Sequence, residues 1–179
     1  MLIVLNGYPG VGKLTIGQIV AERLSGRLLD NHTVYNPAFA LTAFKSPAFY
    51  AAARAMQALT DDLIDRLDAD TPLVLTETLA GSGPWGDECW SRIEKLGQIR
   101  GPFYVVHLLC DLEENMRRIE EPGRASKRKP RDAEMALRNH KDGYRLYGDD
   151  TKNLLRLDVS DLSPDRAAME VCDWIVLQS

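Results

Sequence analysis

The 179-residue sequence predicts an α/β domain built on a mostly parallel sheet, and three observations predict it. Apolar runs alternate with helix-period segments along the whole chain, the pattern of strands joined by crossover helices. The first run, Leu2–Leu5, is apolar at every position, as a strand buried on both faces requires. A glycine-rich turn from Gly7 to Gly12 then joins that run directly to a helical pattern.

The elements follow in order. After the first strand, closed by Asn6-Gly7, Leu14–Leu24 places Ile16, Ile19, Val20 and Leu24 on one helical face. Arg27–Leu29 is a short second strand ending at Asp30. An Ala-rich helical region runs from about Pro37 to Leu67 with Phe39, Phe44, Phe49, Met56 and Leu59, its apolar positions reading as core. Pro47 divides it into at least two helices, and Asn36-Pro37 reads as a cap. Leu73–Leu75 is the third strand, Gly81-Ser82-Gly83-Pro84 a loop, and Glu88–Leu96 a helix. Phe103–Leu109 is the strongest strand pattern, and a helix beginning near Asp111 runs into a basic stretch from Arg117 to Arg131. A helix over about Ala133–Tyr144 and a last strand at Leu154–Val159 come next. Ser163-Pro164 is an N-cap with Pro at the first helical position, and Ala168, Val171, Cys172 and Ile175 give the final helix its buried face.

Composition narrows the function. Apolar residues at 45% and charged residues at 27% describe a folded chain that buries a full core as one unit, residues 1–179. Twenty-two Lys and Arg against 26 Asp and Glu give a net charge of −4, which argues against a general nucleic-acid or anionic-membrane binder. Cys89, Cys110 and Cys172 lack metal-ligand spacing and read as reduced thiols of a cytoplasmic protein. No apolar run reaches membrane-span length, and Gly7 ends the first run too early for a signal peptide.

The informative segment is Gly7-Tyr8-Pro9-Gly10-Val11-Gly12-Lys13-Leu14-Thr15, placed between strand one and helix one. That is the context in which a glycine-rich loop aims backbone N–H groups at a phosphate. The helix N-terminus adds its dipole, Lys13 adds a point charge for the β and γ phosphates, and Pro9 restricts the loop before binding. Gly7, Pro9, Gly10, Val11, Gly12, Lys13, Leu14 and Thr15 are therefore the expected nucleotide-binding residues. A dinucleotide fingerprint fits worse, since Thr15 stands where its third glycine belongs and Lys13 has no role in it. Leu14 occupies the position of the usual Mg²⁺-ligating hydroxyl, with Thr15 one place further on.

Two other strand ends carry carboxylates, where open α/β sheets hold their ligands. Asp30 either handles the proton of an acceptor hydroxyl or caps the next helix; His32 either binds acceptor or fills the helix start. Glu77, after an apolar strand, has the Walker-B pattern that holds Mg²⁺ directly or through water, against a solvated or capping role. Arg54 meets an anionic acceptor or is an ordinary exposed helix arginine, and Gly81–Gly86 with Trp85 sits at the pocket mouth. Arg117, Arg118, Arg124, Lys127, Arg128, Lys129 and Arg131, punctuated by Pro122-Gly123 and Pro130, form a closing segment over a transferred phosphoryl group or a solvated helix face.

The form Gly-x-Pro-Gly-x-Gly-Lys-x-Thr resembles the phosphate loop of the adenylate-kinase-like small phosphotransferases, where a non-hydroxylic residue also follows the lysine. Overall the chain looks closest to shikimate-kinase-like and chloramphenicol-phosphotransferase-like small-molecule kinases. That resemblance implies a P-loop NTPase fold: a three-layer αβα sandwich with five parallel strands in the order 2-3-1-4-5. It implies a helical acceptor-binding region over about 32–70 and a lid over about 117–133. It further implies transfer of the γ-phosphoryl of Mg²⁺-ATP to a small-molecule hydroxyl by a monomer or homodimer. The implied roles are Lys13 on the phosphates, Asp30 with His32 and Arg54 at the acceptor, and Thr15 near the α-phosphate and metal. Glu77 would hold Mg²⁺ through water, and Arg118, Arg124 and Arg128 would neutralise charge. Thr76–Ala80 does not match the Asp-Gly-Phe-Pro-Arg of nucleoside monophosphate kinases, which counts against a nucleotide acceptor. A nucleotide-gated switch without an acceptor is the remaining alternative. Asn139-His140-Lys141-Asp142 has the wrong spacing for a guanine reader, and a nucleic-acid module lacks aromatic interleaving in its basic stretch.

Overall fold

In the computed structural model, which describes residues 1–121 and 132–178, five parallel strands form one sheet in the order β2-β3-β1-β4-β5. The strands are β1 (Leu2–Asn6), β2 (Arg27–Asp30), β3 (Leu73–Glu77), β4 (Phe103–Leu109) and β5 (Leu154–Asp158). The helices are α1 (Lys13–Arg23), α2 (Asn31–Leu41), α3 (Pro47–Asp65), α4 (Pro84–Ile99), α5 (Leu112–Glu120), α6 (Ala133–Asp142) and α7 (Pro164–Gln178). Parallel strands need crossover connections, and here helices supply them and cover both faces.

The period-two alternation of β1 divides the core. Ile3 and Leu5 pack with Ile16, Val20, Tyr104, Val106, Ala168, Val171 and Ile175 on the α1–α7 face. Leu2 and Val4 pack with Ile64, Leu73, Leu75, Ile93, Leu96 and Val105 on the α3–α4 face. This is the expected three-layer sandwich, and the strand order is the expected one.

Three boundaries differ from the sequence reading. The ladder of β1, β2 and β3 continues beneath polar residues, pairing Asn6 with Glu77 and Asp30 with Thr76. Helix α2 begins at Asn31 rather than near Pro37, so Asn36-Pro37 is no cap and Pro37 lies inside the helix. Helix α4 begins at Pro84, four residues before the predicted start, with Pro at a position whose N–H has no partner in any helix. Pro47 does open α3, where Ser46 Oγ accepts the Phe49 N–H at 3.1 Å. No described helix is long and apolar enough to cross a membrane.

Candidate active site

The phosphate loop leaves β1 at the middle of the sheet and runs into α1 through Gly12, whose φ of 95° puts it in the left-handed region. Gly10 also has positive φ, 98°, and a Cβ there would lie 2.4 Å from Asn115 Nδ2 and 2.7 Å from Ile119 Cγ1. No other residue type fits that backbone against α5. Beneath the loop, buried Asn115 donates from Nδ2 to the Pro9 carbonyl at 2.9 Å. Buried Asn6 accepts the Gly7 and Leu79 N–H groups, each at 2.9 Å, so one side chain sets both the loop and the exit of β3. Lys13 Nζ folds across the loop and donates to the carbonyls of Gly7 (2.7 Å) and Tyr8 (2.9 Å). The ammonium is thus held at the mouth of the loop, where a phosphate would meet it.

On the β2–β3 side, Asp30 stands at the N-cap position of α2 but makes no side-chain cap bond. Its Oδ1 instead accepts the Thr76 hydroxyl at 2.6 Å, with the carboxylate buried at the edge of the cavity. The capping reading of Asp30 is therefore replaced by one in which neighbouring strand ends position it. Glu77 is neither solvated nor a cap: it is 7% exposed, at the end of β3. Burial pushes its carboxyl up to about 7; the Arg92 and Lys13 charges oppose the rise, and Asp30 adds to it. Behind it, α3 and α4 are joined along a helical stripe. Arg54 pairs with Glu88, Gln57 Nε2 donates to Cys89 Sγ at 3.3 Å, and Arg92 Nε donates to Asp61 Oδ2 at 2.8 Å.

These strand ends open into one cavity of about 1400 Å³. Of the expected residues, Pro9, Gly10, Gly12, Lys13, Leu14, Thr15, Asp30, His32, Glu77 and Arg118 line it. Gly7 and Val11 are buried and do not line it. Two expected cations stand elsewhere or are engaged. Arg54 is outside the lining, because both of its terminal contacts go to Glu88 (2.6 and 2.7 Å) and its guanidinium stacks on Trp85. Arg118 bonds Glu114 at 2.6 Å and the carbonyls of Val159 (2.8 Å) and Ser160 (3.1 Å), fastening α5 to the segment after β5. Arg124 and Arg128, with Lys127, Lys129 and Arg131, lie outside the described residues, as does most of the expected closing segment.

The aromatic residues of α2, α3 and the turn between them are the largest departure from expectation. Tyr35, Phe39, Phe44, Phe49, Tyr50 and Trp85 line the cavity, and of these only Phe49 is buried. Sequence periodicity assigned Phe39, Phe44, Phe49 and Tyr50 to the core, whereas Trp85 stands at the pocket as expected; a pocket wall and a core face share the same helical spacing. The buried Asn6, Asn115 and Thr76 and the half-buried Arg92 were also missed, for no motif marks a polar residue whose partners are distant in sequence. The three cysteines are free, as expected.

Mg²⁺ prefers one or two carboxylate or hydroxyl oxygens completed by water and phosphates. The donors at this site are of that kind: Glu77 inside and Thr15 on the first turn of α1, both in the cavity lining. Among the described residues no group of three or more His, Cys, Asp or Glu forms a self-contained metal site.

A family model described as an AAA domain matches residues 3–140. No curated protein matches the sequence. Solved structures share the fold: a provisionally assigned kinase from Chloroflexus aurantiacus is 18% identical over 99% of this chain and 97% of its own, with a TM-score of 0.66. Shikimate kinase from Acinetobacter baumannii in complex with shikimate is 20% identical over 99% of this chain and 94% of its own, at 0.62. A gluconokinase from Sinorhizobium meliloti 1021 is 14% identical over 99% and 96%, at 0.59. The architecture is that of the P-loop NTPases.

Proposed function

The chain belongs to the AAA domain family, and from that premise we propose that it is a phosphotransferase moving the γ-phosphoryl group of ATP to a hydroxyl of a small molecule. One observation carries the reading: the phosphate loop with Lys13 and the buried carboxylate of Asp30 open into the same cavity, from the ends of β1 and β2, the two strands that flank β3. The kinase assignments of the structural neighbours support it.

In this reading the loop amides and Lys13 bind the triphosphate. The nucleoside lies toward α5 and the segment Ser160–Pro164 after β5, and the acceptor lies toward α2 and α3. Thr15 and Glu77 would hold Mg²⁺, Glu77 through water, and the metal when bound neutralises phosphate charge. Asp30, oriented by Thr76, takes the hydroxyl proton as the acceptor oxygen bonds to the γ-phosphorus and the bond to the β-bridging oxygen breaks.

The test is a screen of hydroxyl acceptors for ATP-dependent phosphorylation, with two variants. Asp30→Asn lowers transfer about 10²–10⁴-fold while leaving nucleotide affinity unchanged. Lys13→Met abolishes nucleotide binding. Near-normal transfer by Asp30→Asn removes it from the mechanism, and turnover indifferent to every acceptor favours a nucleotide switch.

A further inference from the structure

Three successive residues of the phosphate loop are each fastened by a different partner. The Gly7 N–H donates to buried Asn6 Oδ1 at 2.9 Å, and the Pro9 carbonyl accepts from buried Asn115 Nδ2 at 2.9 Å. Tyr8, between them, reaches outward: its Oη donates to the Tyr144 carbonyl at 2.8 Å, 136 residues further along the chain. Its ring packs against the core on the α1–α7 face, and the residue stands outside the cavity lining. The spacing of a phosphate loop leaves that position open, so a phenol there answers to this chain's own structure.

The post that Tyr8 reaches is itself well held. The Gly81 N–H donates to the Arg145 carbonyl at 2.9 Å and the Tyr147 N–H to the Leu79 carbonyl at 3.1 Å, around an antiparallel bridge between Ala80 and Leu146. The Tyr147 carbonyl accepts from Asn6 Nδ2 at 3.1 Å and meets His107 Nε2 at 2.9 Å, while Tyr147 Oη donates to Asp87 Oδ1 at 2.7 Å. The segment that Tyr144 opens is thereby fixed to the exit of β3, to β1, to β4 and to α4. At the other end of Tyr8, its own carbonyl accepts from Lys13 Nζ at 2.9 Å, beside the Gly7 carbonyl at 2.7 Å. An ammonium on a flexible four-carbon stem keeps its place only while such acceptors keep theirs. Burial, aided by the Asp142 charge, pushes the phenol above its usual range, so Tyr8 keeps its proton and remains a donor at neutral pH.

We propose that Tyr8 is a positioning residue for Lys13: its hydroxyl, tied to Tyr144, holds in place the carbonyl that aims the ammonium at the β and γ phosphates. The inference rests on the phosphotransferase reading and adds to it a residue that acts on the nucleotide only through Lys13. Asn6 and Asn115 fasten the loop from the buried side, whereas the Tyr8 tie can be cut without opening the core.

The test is Tyr8→Phe, which keeps the ring and removes the hydroxyl. Heteronuclear NMR of the ligand-free protein follows proton exchange between the lysine ammonium groups and water, the Lys13 signal being identified by its absence from Lys13→Met. Calorimetry with Mg²⁺ and a non-hydrolysable ATP analogue reads the phosphate site, and urea titration reads global stability. The variant is expected to exchange the Lys13 ammonium at least about threefold faster and to bind the analogue about threefold to tenfold more weakly, the range set by one neutral hydrogen bond. Its urea midpoint should match that of the parent. Lys13 exchange in the parent as fast as that of surface lysines, or unchanged exchange or unchanged affinity in the variant, overturns the positioning role and leaves the phosphotransferase reading in place. So does a fall in the urea midpoint, which would make the hydroxyl a prop of the fold. Failure of the parent to bind the analogue overturns that reading, and the inference with it.

Discussion

Replacing Glu77 by Gln should stabilise the metal-free protein at alkaline pH and do little at acid pH. The carboxyl is held at the end of β3 with its proton affinity raised from 4.5 to about 7, chiefly by burial. A folded state that binds its proton more tightly than the unfolded chain loses stability as pH rises between those two values. The loss begins near 4.5, proceeds at about 1.4 kcal/mol per pH unit and levels off above 7, reaching about 3 kcal/mol. Glutamine keeps the shape and the acceptor oxygen for the Thr78 N–H but carries no charge to desolvate. The assay is urea unfolding of both proteins in EDTA at pH 5, 7 and 8.5, with the difference between them as the readout. The expected difference is below about 1 kcal/mol at pH 5 and grows to about 3 kcal/mol in favour of the variant at pH 8.5. A difference that is flat across this range, or that favours Glu77 at high pH, refutes the claim that its charge is buried at a net cost.

Arg92→Met should move the same transition of the parent protein to higher pH, because the Arg92 charge opposes protonation of Glu77; a pH–stability profile checks the displacement and its sign. Gly10→Ala should destabilise the fold by about 1–3 kcal/mol and weaken ATP binding by more than about tenfold, since φ there is 98° and the methyl would meet Asn115 and Ile119. Denaturant titration and calorimetry read these two effects separately.

The sheet was legible because strands buried on both faces are written as uninterrupted apolar runs, and Phe103–Leu109 matched its observed limits. Strand ends were less legible. Asn6, Asp30, Thr76 and Glu77 belong to the ladder by backbone pairing, yet their side chains are polar because they meet the crevice. Composition therefore signals a loop where hydrogen bonding still signals a strand. The phosphate loop was readable because its geometry needs particular residue types at fixed spacing. The acceptor wall was not, since the sequence shows only that the Phe and Tyr positions of α2 and α3 are apolar. Whether Phe39 meets the sheet or a cavity depends on how two helices tilt, which residue spacing does not encode. Arg54 shows the same limit, as Glu88 lies 34 residues away.

The stripe joining α3 to α4 through Arg54–Glu88, Gln57–Cys89 and Asp61–Arg92 has a thermodynamic consequence. Arg100 extends it, donating to the carbonyls of Asp68 (2.8 Å) and Thr71 (2.9 Å) just past the end of α3. Helix α3 is pinned at successive turns before any guest arrives, so little conformational freedom remains there to be surrendered on association. The entropy of shaping this flank of the receptor was spent when the chain folded. Discrimination among guests then rests on fit to a preset mould rather than on its rearrangement, and amide exchange along α3 should be equally slow in the empty and loaded protein.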